Sequence, residues 1–162
     1  MTNDSTASSV ARDALDAALA EASNDPDDPH RLTDGECTLG VPLPAGLVNG
    51  LDEVVLTVRL SGDIVSFTTP LASVTDGGEF GEVATALLRR QFFAAQTEGA
   101  SFALADREDV VVATYHWMPE AITTDGFSGV FSRFVSAALH LRGELAHMAS
   151  QGAPLAMLDS AG

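Results

Sequence analysis

Between Phe127 and Met148, the apolar residues Phe127, Val130, Phe131, Phe134, Ala138, Leu141, Leu145 and Met148 recur at i, i+3 and i+4 over about six turns. The spacing predicts one long amphipathic helix, starting near Thr124 or Asp125 and stopped by Gly152 and Pro154. A stripe of that length has to be buried, so the rest of the chain must supply an apolar surface to receive it.

The periodicity that supplies it is two. Val54, Leu56, Val58 and Leu60 alternate with Val55, Thr57 and Arg59, which predicts a strand over 52–60. Ser61-Gly62-Asp63 reads as a tight turn into a second strand from Ile64 to Leu71, giving an antiparallel hairpin. Cys37 to Val41 is a short strand ahead of them, stopped by Pro42 and Pro44. A second hairpin is predicted from Ala100 to Ala105 and Val110 to Trp117, around the turn Asp106-Arg107-Glu108-Asp109 and closed by Pro119. Two further helices have apolar stripes. One, over 9–23, carries Val10, Ala14, Leu15, Ala18, Leu19 and Ala22 behind a Ser8 or Ser9 cap. The other, over 79–95, carries Phe80, Val83, Ala84, Leu87, Leu88 and Phe92.

The expectation is therefore one α+β domain over 9–149 in the order α-β-β-β-α-β-β-α. It has two layers, with an antiparallel sheet and the helices mainly on one face. Residues 1–8 are expected to form a disordered tail and 150–162 a weakly structured one. A length of 162 residues and a hydrophobic content of 46% suit a single core.

If Val54, Leu56, Val58 and Leu60 face the helices, Val55, Val65, Phe67, Val111, Ala113 and Tyr115 fall on the other face. The pattern fixes the register only to within one residue, and a slip exchanges the two sets. Either way, apolar residues are expected on both faces. A second copy, a bound peptide, the 42–50 loop or a tail could each cover the outer one.

Charge narrows the function. There are 23 acidic residues against 8 basic ones, a net charge of −15, and every basic residue is an arginine, scattered from Arg12 to Arg142. No basic patch is available for phosphates, so neither nucleic acid nor an anionic membrane is an expected partner. A positively charged or polar protein would be steered toward such a surface. The same acidity also suits solubility in a salty cytosol, and charge alone does not separate the two. Met1-Thr2-Asn3-Asp4-Ser5 has neither a basic nor an apolar signal region, and no apolar run approaches the length of a membrane span. A cytoplasmic location is expected.

The chemistry-bearing residues do not assemble into a known motif. His140 and His147 are seven residues apart with Glu144 between them, whereas a two-histidine metal site on a helix favours i, i+4. His116 reads as a half-buried strand histidine. Cys37 is the single cysteine, so no disulfide can form within the chain. Ser61-Gly62-Asp63 and Asp76-Gly77-Gly78 are too short for a phosphate loop, and the chain has no lysine to complete one. Asp25, Asp27 and Asp28 lack calcium-loop spacing. No cofactor, metal or catalytic residue is expected. An enzymatic reading would need a polar pocket at His116, Glu120 or Arg133.

Three phrases carry a family resemblance. Asp34-Gly35-Glu36-Cys37-Thr38-Leu39 follows the first helix. Leu87-Leu88-Arg89-Arg90-Gln91-Phe92 is followed by Gly99-Ala100-Ser101-Phe102-Ala103-Leu104, and Phe127 through Leu145 forms the last helix. Together with the element order, they resemble the class I type III secretion chaperones, the Tir chaperone family, over about 9–149. The related YbjN family shares that fold and a similar order. The resemblance implies a homodimer built around the second helix and second hairpin, which points to Leu87, Leu88, Phe92, Phe102 and Leu104. It also implies an extended client segment, such as that of a secreted effector, contacting Val55, Val65 and Phe67. The expected function is non-catalytic protein binding. A YbjN-like regulatory or adaptor role without secretion is the alternative.

Overall fold

A computed structural model describes residues 4–23, 29–47, 51–75, 80–92, 99–105 and 109–158. The elements are α1 (Asp4–Ala22), β1 (Glu36–Pro42), β2 (Glu53–Ser61), β3 (Ile64–Val74), α2 (Phe80–Phe92), β4 (Ser101–Leu104), β5 (Val110–Trp117), α3 (Thr124–Ser150) and β6 (Leu155–Met157). The eight predicted elements are all present in the predicted order.

Two boundaries differ from expectation. Helix α1 begins at Asp4, so part of the segment expected to be disordered is helical. The segment expected to be a weakly structured tail contains β6, a strand paired with β3.

The sheet is antiparallel, in the order β1-β2-β3-β5-β4, with β6 on β3 outside that path. Helix α1 packs on α3, and α3 lies across β3, β5 and β6, while α2 lies against β4. The core fills the space between sheet and helices. Leu15, Ala18 and Leu19 enter it from α1, and Leu56, Val58, Val65 and Phe67 from the sheet. Phe127, Phe134, Leu141 and Leu145 enter from α3. Val10, part of the predicted α1 stripe, is instead 64% exposed.

Helix α3 starts where its cap dictates. Thr123 has extended backbone (φ −120, ψ 153), and its Oγ1 accepts a bond from the Gly126 N–H at 3.1 Å, satisfying one of the free donors of the first turn. Asp125 places negative charge at the positive end of the helix dipole. Phe67 of β3 meets both rings that α3 sends down, Phe127 at 5.8 Å and Phe134 at 5.6 Å between centroids.

Helix α1 also fixes the chain that leads into β1. Asp16 Oδ1 accepts the Leu32 N–H at 2.7 Å, and Arg12 Nη2 donates to the Leu32 carbonyl at 3.1 Å. One helical turn thus holds both backbone groups of one residue, with the Leu32 side chain buried below.

Strand β3 is the irregular member of the sheet. A bulge between Pro70 and Ala72 leaves Leu71 as the extra residue, and both Leu71 and Ala72 are buried. Pairing of β2 with β3 stops at Thr57–Thr68, two residues before Pro70, which has no N–H to give. Beyond that point β2 stays with β1 alone, and the vacated edge of β3 is taken by β6.

Candidate functional site

The hairpin turn decides which residues each face of the sheet presents. Ser61 and Ile64 are directly opposed across Gly62-Asp63, with Gly62 at φ +59. Leu60 therefore pairs with Val65, and Val58 with Phe67. Cross-strand partners share a face, so Val65 and Phe67 lie on the helix-covered face with Val58. This corrects the expectation that they lie on the outer face. Both are fully buried, as are Val111 and Ala113, which the expectation also placed outside. Tyr115 pairs with Phe67 and packs on the core as well. The turn is one residue shorter than Ser61-Gly62-Asp63: Ser61 still belongs to the ladder, which moves Val65 opposite Leu60 rather than opposite Arg59.

The outer face carries polar rows beside the apolar residues expected there, with Val55, Pro70, Val112 and Ala103 on the same side as the threonines. Thr38, Thr57, Thr68, Thr114 and Ser101 oppose one another in turn across β1, β2, β3, β5 and β4, a row of hydroxyls spanning five strands. The Thr38 and Thr57 hydroxyls are 3.3 Å apart. Beside this row runs another of Glu36, Arg59, Ser66 and His116. Val55, the third proposed client contact, does lie on this face and is half-buried.

The side of the domain formed by α2 and β4 holds the remaining candidates. Leu87 is buried in the core, whereas the adjacent Leu88 is 68% exposed. Phe102 and Leu104 are half-buried against the core. Strand β4 pairs with β5 only, so among the described residues its other edge has no strand partner. The Phe92 side chain lies outside the described residues.

The titratable residues stay dispersed. His116 Nδ1 is 2.9 Å from Ser66 Oγ on the outer face, Arg133 Nε donates to Gly129 O at 3.3 Å within its own helix, and Glu120 is exposed. His147 Nε2 is 3.0 Å from Gln151 Nε2, and His140 is exposed. Among the described residues, no three His, Cys, Asp or Glu side chains come together as a metal would require. Cys37 is buried, and burial pushes its thiol pKa up. A backbone hydrogen bond at Arg31 works against the shift, and the Asp16 charge adds to it. An open polar depression of about 490 Å³ lies beside it, lined by His30, Arg31, Thr33 and Glu36. None of the described helices is long and apolar enough to cross a membrane.

Against solved structures, the likeness is one of fold. A chain of the ExsC–ExsE complex matches with a TM-score of 0.58 at 11% sequence identity, over 81% of this chain and 92% of that one. A chain of the HopA1–SchA chaperone–effector complex matches with a TM-score of 0.54 at 13% identity, over 81% and 91%. The heterodimeric ExoU–SpcU complex, from the type III secretion system of Pseudomonas aeruginosa, gives a TM-score of 0.49 at 16% identity, over 81% and 93%. No protein-family model matches the sequence, and no curated protein does. The chain shares the α+β fold of the ExsC–ExsE and HopA1–SchA chains, here three helices with an antiparallel six-stranded sheet.

Proposed function

We propose that this domain binds protein without catalysis, holding an extended segment of a client on a homodimer in the cytoplasm. The observation that carries the reading is that α2, with Leu88 68% exposed, packs against β4, whose outer edge has no strand partner among the described residues. An exposed leucine on a helix packed against a strand with an open edge offers both halves of a strand-addition interface, an apolar anchor and free backbone groups. Phe102 and Leu104 support that edge from inside, and Leu87 ties α2 to the core beneath it. Fold likeness to a chain of a chaperone–effector complex supports the same reading.

The client contacts need revision from the sequence expectation. Val65 and Phe67 shape the sheet from within, so of the three residues only Val55 is offered to a client. A net charge of −15 steers a cationic segment toward the domain and keeps the loaded complex dissolved.

Sedimentation velocity on the wild type and on Leu88→Glu tests the dimer. The wild type should run at twice the chain mass, and Leu88→Glu should shift to one chain with an unchanged circular dichroism spectrum. A monomeric wild type at tens of micromolar refutes the dimer. Affinity capture from the native host tests the client. A dimer that captures no protein there would point to the YbjN-like regulatory or adaptor role instead.

A further inference from the structure

We propose that the edge of β3 at Ala72–Val74 is an exchangeable peptide slot, filled in cis by β6 and able to take an extended apolar peptide in trans. Three features build it. Pro70 ends the β2–β3 pairing and leaves the edge free. The bulge leaves Leu71 opposite no residue of β5, and its carbonyl accepts the Leu158 N–H. Arg142, buried on α3, reaches that carbonyl at 3.2 Å and also donates to the Leu158 carbonyl.

What holds β6 there is mostly blind to sequence. Ala72, Ser73 and Val74 pair with Met157, Ala156 and Leu155. The Thr75 N–H donates to Pro154 O at 3.0 Å, and the Leu158 N–H donates to Leu71 O at 3.2 Å. Every one of these contacts uses the peptide backbone of the inserted segment, which any extended chain supplies. Identity enters through Leu155, 7% exposed, while the adjacent Ala156 points to solvent. The occupant is thus defined by chemistry: an extended segment with leucine or a similar aliphatic side chain at the inward position, a small residue next, and an apolar residue third.

Exchange is built into the attachment. Strand β6 has three residues. It joins α3 through Gly152 at φ +94, a conformation that glycine adopts without penalty, and a side chain there would meet nothing within 4 Å. Short elements with one buried anchor open at lower free energy than the strands that they cover. Emptying the slot would take the Leu158 acceptor from the buried Arg142 and one of two donors from Leu71 O, which favours refilling. A departing β6 is therefore replaced. The slot depends on neither the α2–β4 dimer nor the client reading, and failure of one leaves the other standing.

The test uses the full chain and a fluorescein-labelled peptide of residues 152–159. In wild-type protein, the amides of 155–158 should exchange with deuterium at least tenfold faster than those of β5. Leu155→Asp weakens the cis occupant and should tighten peptide binding at least tenfold by anisotropy. A staple of Ala72→Cys with Met157→Cys, in a Cys37→Ser background, should abolish binding when oxidised and restore it when reduced. A peptide with aspartate at the Leu155 position should not bind. The proposal is overturned if oxidation of the staple leaves binding unchanged, or if folded Leu155→Asp binds no more tightly than wild type. Staple cysteines that link two copies, with no peptide signal, also overturn it, in favour of a tail swapped between copies. Should Leu155→Asp not fold, the oxidised and reduced forms of the stapled chain carry the decision.

Discussion

Replacing Phe67 with alanine tests the face assignment directly, because the two possible registers give opposite results. Phe67 is fully buried and packs against Tyr115, Phe127 and Phe134. A buried phenylalanine removes roughly 150–250 Å² from water. At about 25 cal/mol per Å², that is on the order of 4–6 kcal/mol, an upper bound set by an extended unfolded chain. Truncation to alanine keeps the Cβ and leaves a cavity that α3 only partly closes, so the loss should be about 3–5 kcal/mol. For a domain of this size, each kcal/mol moves Tm by roughly 2–4 °C, so Phe67→Ala should melt about 6–20 °C lower than wild type. The neighbouring Thr68 points the other way, and Thr68→Ala should stay within about 0.5 kcal/mol. Urea unfolding monitored by circular dichroism reads both, with the slope m held in common. If Phe67→Ala is neutral, or if Thr68→Ala is the costlier of the two, the register argument fails.

Further outcomes follow from other features. Thr123→Ala removes the cap of α3 and should destabilise the fold by about 0.5–2 kcal/mol in the same urea assay, with Thr123→Ser near wild type. A net charge of −15 repels itself in the compact state, so the melting temperature should climb as sodium chloride is raised from low ionic strength; a flat or falling curve would show that the acidic groups are already compensated. Cys37, with its thiol pKa raised by burial, should react slowly with a thiol reagent at neutral pH and quickly after denaturation. The sign of its pH effect follows. Below the ordinary thiol range both states hold the proton. Above it the unfolded chain ionises first, so stability should decline there in wild type relative to Cys37→Ser.

Much of the fold was legible because its elements have different periods. The i, i+3, i+4 rows of α2 and α3 and the alternation of β2 are local properties, and they survive folding unchanged. The faces were not legible: a turn of Ser61-Gly62-Asp63 opposes Leu60 to Ile64 and sends Val65 and Phe67 outward, whereas pairing of Ser61 with Ile64 shortens the turn by one residue and reverses them. Strand β6 was not readable. Leu155-Ala156-Met157 is too short to show alternation, and it becomes a strand only because a bulge some eighty residues earlier opens an edge for it. Arg142 is similar: its sequence neighbourhood reads as the wetted side of a helix, and only tertiary placement makes it a buried donor to Leu71 and Leu158. Leu88, Phe102 and Leu104 were singled out through resemblance, since exposure of one leucine in an apolar stripe has no local signature.

The hydroxyl row across the sheet has a consequence for how such a domain can change its partners. Threonine and valine have nearly the same shape, and the pleat that each prefers is the same. At Thr57, Thr68 and Thr114, a single-atom exchange of hydroxyl for methyl would therefore leave strand pairing intact while turning a wetted stripe into an adhesive one. The core on the other side of each strand would register none of it. The sheet thus separates inheritance of the fold from inheritance of specificity: one face is constrained by three helices, and the other is free to drift, one side chain at a time, toward whatever it next comes to hold.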